Sequence, residues 1–141
     1  ESLRYLTVKI DDEAPMIFGT ETFDKSKKGY VVEGPIDSLF LPNCLAVAGT
    51  AFNKLDEVGL DKSLVTLILD NQPRNREVVK VYNRFIERGW KILLWPQNIN
   101  GKDINEIILN GLTSDELVSI IDKNTHQGLS AKLAFTNWKK I

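Results

Sequence analysis

The sequence predicts an α/β fold: a mostly parallel central sheet with helices on both faces. Three observations predict it. Short β-branched or aromatic runs at 30–32, 44–48, 64–69 and 91–95 alternate with segments of helical spacing, the pattern of strand–helix–strand units. The run Leu64-Val65-Thr66-Leu67-Ile68-Leu69 is apolar on both faces, as expected of a central parallel strand. Gly34-Pro35, Asp70 to Pro73, and Pro96 each end a strand abruptly, because proline lacks the N–H that a ladder needs.

Taken in order, residues 3–10 alternate partly through Leu6, Val8 and Ile10 and read as a strand, followed by an acidic turn at 11–15. Met16-Ile17-Phe18 is a short apolar segment before a polar loop at 20–29. Tyr30-Val31-Val32 is a buried strand, and Pro35 opens a helix to about Leu41. Cys44–Ala48 is a further apolar run, closed by Gly49-Thr50, and 51–58 has a helical pattern. A helix from about Arg74 to Arg88 places Val78, Val81, Tyr82 and Phe85 on one face, with Gly89 as its cap. A loop through Gly101-Lys102 leads to Asp103 and a short helix ending near Asn110. Thr113-x-x-Glu116 is a capping box for a helix to about Ile121. The amphipathic stretch Leu129–Trp138 closes the chain. No repeat, low-complexity segment or linker divides it, so residues 1–141 are read as one domain.

Composition excludes several classes. A hydrophobic share of 43% and a charged share of 26% are those of an ordinary soluble globular domain. The net charge of −1 gives no global argument for nucleic acid, so only a local patch could bind it. With one cysteine (Cys44) and one histidine (His126) there is no internal disulfide and no zinc finger, which fits a reducing cytoplasm. No apolar run approaches the ~20 residues that span a bilayer, and no signal peptide opens the chain. The first residue is Glu1 rather than Met, as expected of a piece cut from a longer protein.

Chemistry concentrates where strands hand over to helices. Glu33 with Asp37, Asp70, and Asp103 with Glu106 occupy three such junctions. Strand ends of a parallel sheet share one edge, where ligands of open α/β sheets bind. Clustered carboxylates repel unless a proton or cation lies between them, and Mg²⁺ prefers hard oxygen ligands while bridging carboxylates to phosphates. Each acid also has a plain structural reading. Asp103-x-x-Glu106 has capping-box spacing, Asp37 in a first turn complements the helix dipole, and Asp70 before Pro73 is placed to cap the next helix. Glu33 resists this reading best, because Gly34-Pro35 leave it outside the helix.

Four segments in order then resemble a known family. They are Val32-Glu33-Gly34-Pro35-Ile36-Asp37-Ser38-Leu39, Ala48-Gly49-Thr50, Leu69-Asp70-x-Gln72-Pro73-Arg74, and Lys102-Asp103-Ile104-Asn105-Glu106. Together they are similar to the Toprim domain, the catalytic module shared by bacterial-type primases, topoisomerases and some nucleases. Within it the chain looks like the primases of T-even-type bacteriophages. The resemblance covers about residues 30–110 and is weaker at both ends of the chain. It implies that Glu33 is a metal ligand or acid/base group, with Asp37, Asp70 and Asp103 as further ligands of Mg²⁺ or Mn²⁺, Glu33 and Asp70 being the catalytic pair. Two departures stand out: Gln72 replaces the second aspartate of the family's Asp-x-Asp pair, and Asn105 replaces another acid. Both remain auxiliary oxygen ligands, but the missing charges put a second metal in doubt.

Six basic residues lie between Arg74 and Lys91 (Arg74, Arg76, Lys80, Arg84, Arg88, Lys91). Arg74 near Asp70 and Lys102 next to Asp103 are candidate nucleotide-phosphate ligands; the remainder read as a solvated helix face. Lys25, Lys27 and Lys28 form a solubilising loop. Trp90 and Trp95 flank a strand, with at least one in the core, as is Cys44. Trp138 beside Lys139 and Lys140 either packs on its own domain or docks on a partner. His126 reads as a surface residue.

The expectation is the Toprim catalytic part, toward the C-terminus of a longer primase. It would carry out Mg²⁺-dependent nucleotidyl transfer from ribonucleoside triphosphates on single-stranded DNA, in the host cytoplasm during phage replication. The replicative helicase is an expected partner, and the fragment alone would be weakly active. One alternative is a Toprim nuclease or topoisomerase fragment. The other is a non-catalytic docking domain of the replisome that binds through Leu133, Phe135 and Trp138.

Overall fold

The computed structural model describes residues 16–141. The strand and acidic turn expected at 3–15 lie outside the described residues. The described elements run β1 (Met16–Phe18), β2 (Gly29–Val32), α1 (Pro35–Ser38), β3 (Cys44–Ala48), a 3-10 helix (Gly49–Glu57), β4 (Val65–Ile68), α2 (Arg76–Glu87), β5 (Lys91–Leu93), α3 (Ile104–Leu109), α4 (Ser114–Lys123), β6 (Thr125–His126) and α5 (Leu129–Trp138).

One six-stranded sheet holds them, in the order β1-β3-β2-β4-β5-β6. The four inner strands are parallel: β2 pairs with β3 and β4, and β4 with β5. An antiparallel strand closes each edge, with β1 on β3 and β6 on β5. This is the mostly parallel α/β arrangement expected of a Toprim-like domain. Every residue of β2 and of β4 is buried, as strands covered on both faces require. The strand at 64–69 is therefore central, as its two-faced apolarity predicts.

Local chemistry explains most boundaries. Thr113 Oγ1 accepts from the Glu116 N–H at 3.1 Å while Glu116 Oε1 accepts from the Thr113 N–H at 3.0 Å, completing the expected capping box. Gly89 follows α2 with φ +87°, a conformation that costs glycine little.

Other boundaries differ from the sequence reading. The helix expected to reach Leu41 stops at Ser38, whose hydroxyl turns back onto the Pro35 carbonyl at 2.6 Å. The segment expected to be helical at 51–58 is a 3-10 helix with a kink at Lys54. Helix α2 starts at Arg76 rather than Arg74, because Asn75 is its cap and accepts from the Glu77 and Val78 N–H groups. Its buried stripe is Val79, Tyr82, Phe85 and Ile86, with Val78 and Val81 only partly buried beside it. Cys44 is half-buried against the core rather than inside it.

Aromatic residues knit the helices to the sheet. Trp90 and Trp95 are both buried; Trp90 Nε1 donates to Asp56 and Trp95 Nε1 to the Leu69 carbonyl. Trp138 stacks on Tyr82 at 4.1 Å between ring centroids and so packs on its own domain. No described helix is long and apolar enough to cross a membrane.

Candidate functional site: a carboxylate rim

Because β2 and β4 are parallel neighbours, with Val32 opposite Ile68, the residues just beyond their ends emerge side by side. Those residues are Glu33 and Asp70, and both line one cavity of about 260 Å³. Glu33 is exposed, yet the atoms around it strip away part of its water. That desolvation raises its pKa, and the charges of Asp70 and Asp37 raise it further. Asp70 is raised by its own burial and by Asp103 and Glu106, against the lowering pull of Lys102.

Asp37 does not merely decorate its own helix. Its Oδ1 accepts from the Asn105 N–H at 2.9 Å, in the first turn of α3 and 68 residues away in sequence. Asp103 caps the same helix, its Oδ1 accepting from the Glu106 N–H at 2.9 Å. Two acids thus share the positive end of one helix. Burial pushes the Asp37 carboxyl up to about 6; the Asn105 N–H opposes this and the charges of Asp103 and Asp70 add to it.

The sequence-predicted residues therefore divide. Asp70 and Asp37 act electrostatically on Glu33, Asp103 acts on Asp37 and Asp70, and Lys102 acts on Asp70. Arg74 is exposed in the turn before Asn75 and is not among the charges that move Asp70. Gln72 sits in the same turn, its N–H on the Asp70 carbonyl at 3.0 Å, and Asn105 meets Asp37 through its backbone. The capping reading holds for Asp103 and fails for Asp70, because Asn75 has that role. One contributor escaped the sequence reading: Glu77, which lines the cavity from the first turn of α2; Glu106, already named at its junction, reaches Asp70 through its charge. Asn75 could have been found, as a cap-type residue directly before the apolar stripe.

Among the described residues no three carboxylate, histidine or cysteine side chains form a group set to hold a metal ion. The rim is a row of hard oxygen donors in mutual repulsion rather than a closed cage. That suits an ion which takes one or two carboxylates and completes its shell with water and phosphate oxygens.

The loop carrying Asp70 is held firmly. Tyr82 Oη donates to the Leu69 and Asp70 carbonyls at 3.2 and 2.9 Å, and Trp95 Nε1 reaches the Leu69 carbonyl at 2.8 Å. The Asn71 N–H donates to the Lys102 carbonyl, and Trp138 Nε1 donates to Asn71 Oδ1 at 3.0 Å.

The pH dependence follows from Asp37. Its folded pKa of about 6 exceeds the unfolded 3.8, so its contribution to stability is full below about pH 4 and is lost as pH rises through 6. Asp37→Asn keeps an oxygen for the Asn105 N–H and removes the charge. At pH 7.5 without divalent ions, this variant is expected to be more stable than the parent by about 2 kcal/mol after solvent screening. At pH 4 the two should melt alike. Urea titrations at both pH values check this; equal stability at pH 7.5 contradicts it.

The basic residues of α2 are partly committed elsewhere. Lys80 lies 3.7 Å from Glu77, and Arg88 lies 3.3 Å from Asp56, which Lys62 also holds. This is the solvated helix face that the sequence reading anticipated. Of the three residues named for partner docking, Leu133 is exposed, but Phe135 and Trp138 are buried against Tyr82 and cannot present themselves to another protein.

In comparisons with known proteins, the chain is 34% identical over 141 residues to the DNA primase of Enterobacteria phage T4. The match takes in 98% of this chain and 40% of that protein. No family model matches. The chain is thus similar to a part of a T4-type DNA primase and spans about two fifths of that protein's length.

Proposed function

We propose that this chain is the Toprim part of a DNA primase, making RNA primers on single-stranded DNA by Mg²⁺-dependent nucleotidyl transfer during phage replication. The observation that carries the reading is the carboxylate rim, in which Glu33 and Asp70 line one cavity, the charge of Asp70 helps raise the pKa of Glu33, and that of Asp103 helps raise Asp70. The similarity to a primase supports it from a separate direction.

In this reading Glu33 and Asp70 hold Mg²⁺ or Mn²⁺, with Asp37 and Asp103 facing it from the end of α3. Gln72 and Asn105 are auxiliary oxygen donors. When bound, the ion supplies charge neutralisation at the phosphates and lowers the pKa of an attacking hydroxyl. The protein's own share is placement. Lys102, already within electrostatic reach of Asp70, holds a phosphate oxygen of the incoming ribonucleoside triphosphate, and Arg74 offers a bidentate grip further out. Fixed charges aimed where charge develops supply most of the catalysis. Template strand and replicative helicase are the partners this function requires, and the host cytoplasm its setting.

A second reading, a docking domain without catalysis, is favoured by two amides (Gln72, Asn105) standing where acids are expected. A third is strand cleavage by a Toprim nuclease or topoisomerase. One experiment separates all three. The full-length primase containing this segment is incubated with single-stranded DNA, Mg²⁺ and labelled ribonucleotides. Extended RNA products are expected; shortened DNA supports cleavage, and no reaction at millimolar Mg²⁺ or Mn²⁺ supports docking.

A further inference from the structure

The rim cavity is more than a row of acids. Phe52, Val78 and Val81 add an apolar lining to that of Glu33 and Asp70, and Glu77 lines the same cavity. A metal site alone needs no apolar lining. A nucleotide has both characters, charged at its phosphates and apolar across its sugar and base. At about 260 Å³ the space is just below the range for drug-sized ligands, so it admits part of a nucleotide, not all of it.

Glu77 is the unassigned group here. Its side chain is 84% exposed, and its ion-pair partner, Lys80, lies 3.7 Å away with a side chain 69% exposed. Such a surface pair holds little energy and gives way readily to a ligand. An ionised carboxylate only accepts hydrogen bonds, so its neutral partners are hydroxyls and amines. Glu77 lines the cavity together with its neighbours Val78 and Val81, which places it to meet the organic part of a ligand. An acidic side chain accepting from sugar hydroxyls is a recurrent solution in nucleotide-binding α/β folds.

Resting on the primase reading above, we infer that this cavity is a nucleoside subsite, in which Glu77 accepts from the ribose hydroxyls and thereby favours ribonucleotides over deoxyribonucleotides. The apolar lining packs the sugar face, and the phosphates point toward Glu33 and Asp70.

The chain is titrated with ATP and with dATP in Mg²⁺ while the methyl resonances of Val78 and Val81 are followed by NMR. Both nucleotides should shift these methyls, and ATP should bind about tenfold more tightly, the worth of one charge-assisted hydrogen bond. Glu77→Ala should erase the preference; Glu77→Gln, which keeps an acceptor oxygen, should restore part of it. Equal affinities in the parent chain, unmoved Val78 and Val81 methyls, or a preference untouched by Glu77→Ala would each overturn the subsite. A merely structural Glu77 would change the melting temperature without changing the ratio. The parent reading fails differently: full-length primase with Glu33→Gln would still make primers, whatever the nucleotide preference of the chain.

Discussion

Asp70→Asn in the full-length primase should lower primer synthesis by about 10²–10³-fold, the usual scale for removing one preorganised electrostatic contact, while the metal-free protein becomes no less stable. The two effects run in opposite directions for one reason. Burial and the neighbouring acids Asp103 and Glu106 raise the pKa of Asp70, so at neutral pH its charge is a cost of folding that asparagine does not carry. On the proposed reading, the same charge is the one that attracts a divalent ion. Mn²⁺ should therefore raise the melting temperature of the parent chain and do so far less in the variant. Primer assays and thermal melts with and without Mn²⁺ check both halves. An active variant, or one destabilised without metal, would show that the carboxylate serves the fold rather than the ion.

The second large effect lies under the site. Trp138→Ala should destabilise the domain by about 3–5 kcal/mol, the range for truncating a buried aromatic. The indole is 5% exposed, stacks on Tyr82, and donates to Asn71. Its loss leaves a void against Tyr82 and releases Asn71, the residue directly after Asp70. Metal affinity should fall with stability. Trp138→Phe refills most of the void without restoring the Asn71 bond, and so separates packing from placement. Denaturant unfolding gives the first quantity and Mn²⁺ titration the second. If Trp138→Ala melts within about 1 kcal/mol of the parent, the clamp is not structural.

What could be read from the chain follows the range of the interactions. Glu33 was legible because its neighbours Gly34 and Pro35 dictate a strand end locally. The Thr113–Glu116 box was legible because three residues contain the whole device. Strand β4 was legible because burial on both faces demands an unbroken apolar run. The Asp37–Asn105 bond was not, since its partners lie 68 residues apart and neither has a pattern that announces the other. Edge strands β1 and β6 are three and two residues long, too short for alternation to register. Helix α2 was placed two residues early because Pro73 drew attention from Asn75. The docking face failed because an amphipathic pattern identifies an apolar stripe without saying what it meets; Phe135 and Trp138 meet Tyr82. Glu77 was passed over as one charge on a helix surface, and only the fold brings it to the cavity.

The thread from Asn71 to Trp138, spanning 67 positions, also bears on synthesis. A ribosome releases Asp70 long before it releases the indole that steadies the loop after it, and Asn105 likewise follows Asp37 late. A nascent chain therefore carries the acids before it can arrange them. The arrangement of the loop after Asp70 is completed only once Trp138 has been made.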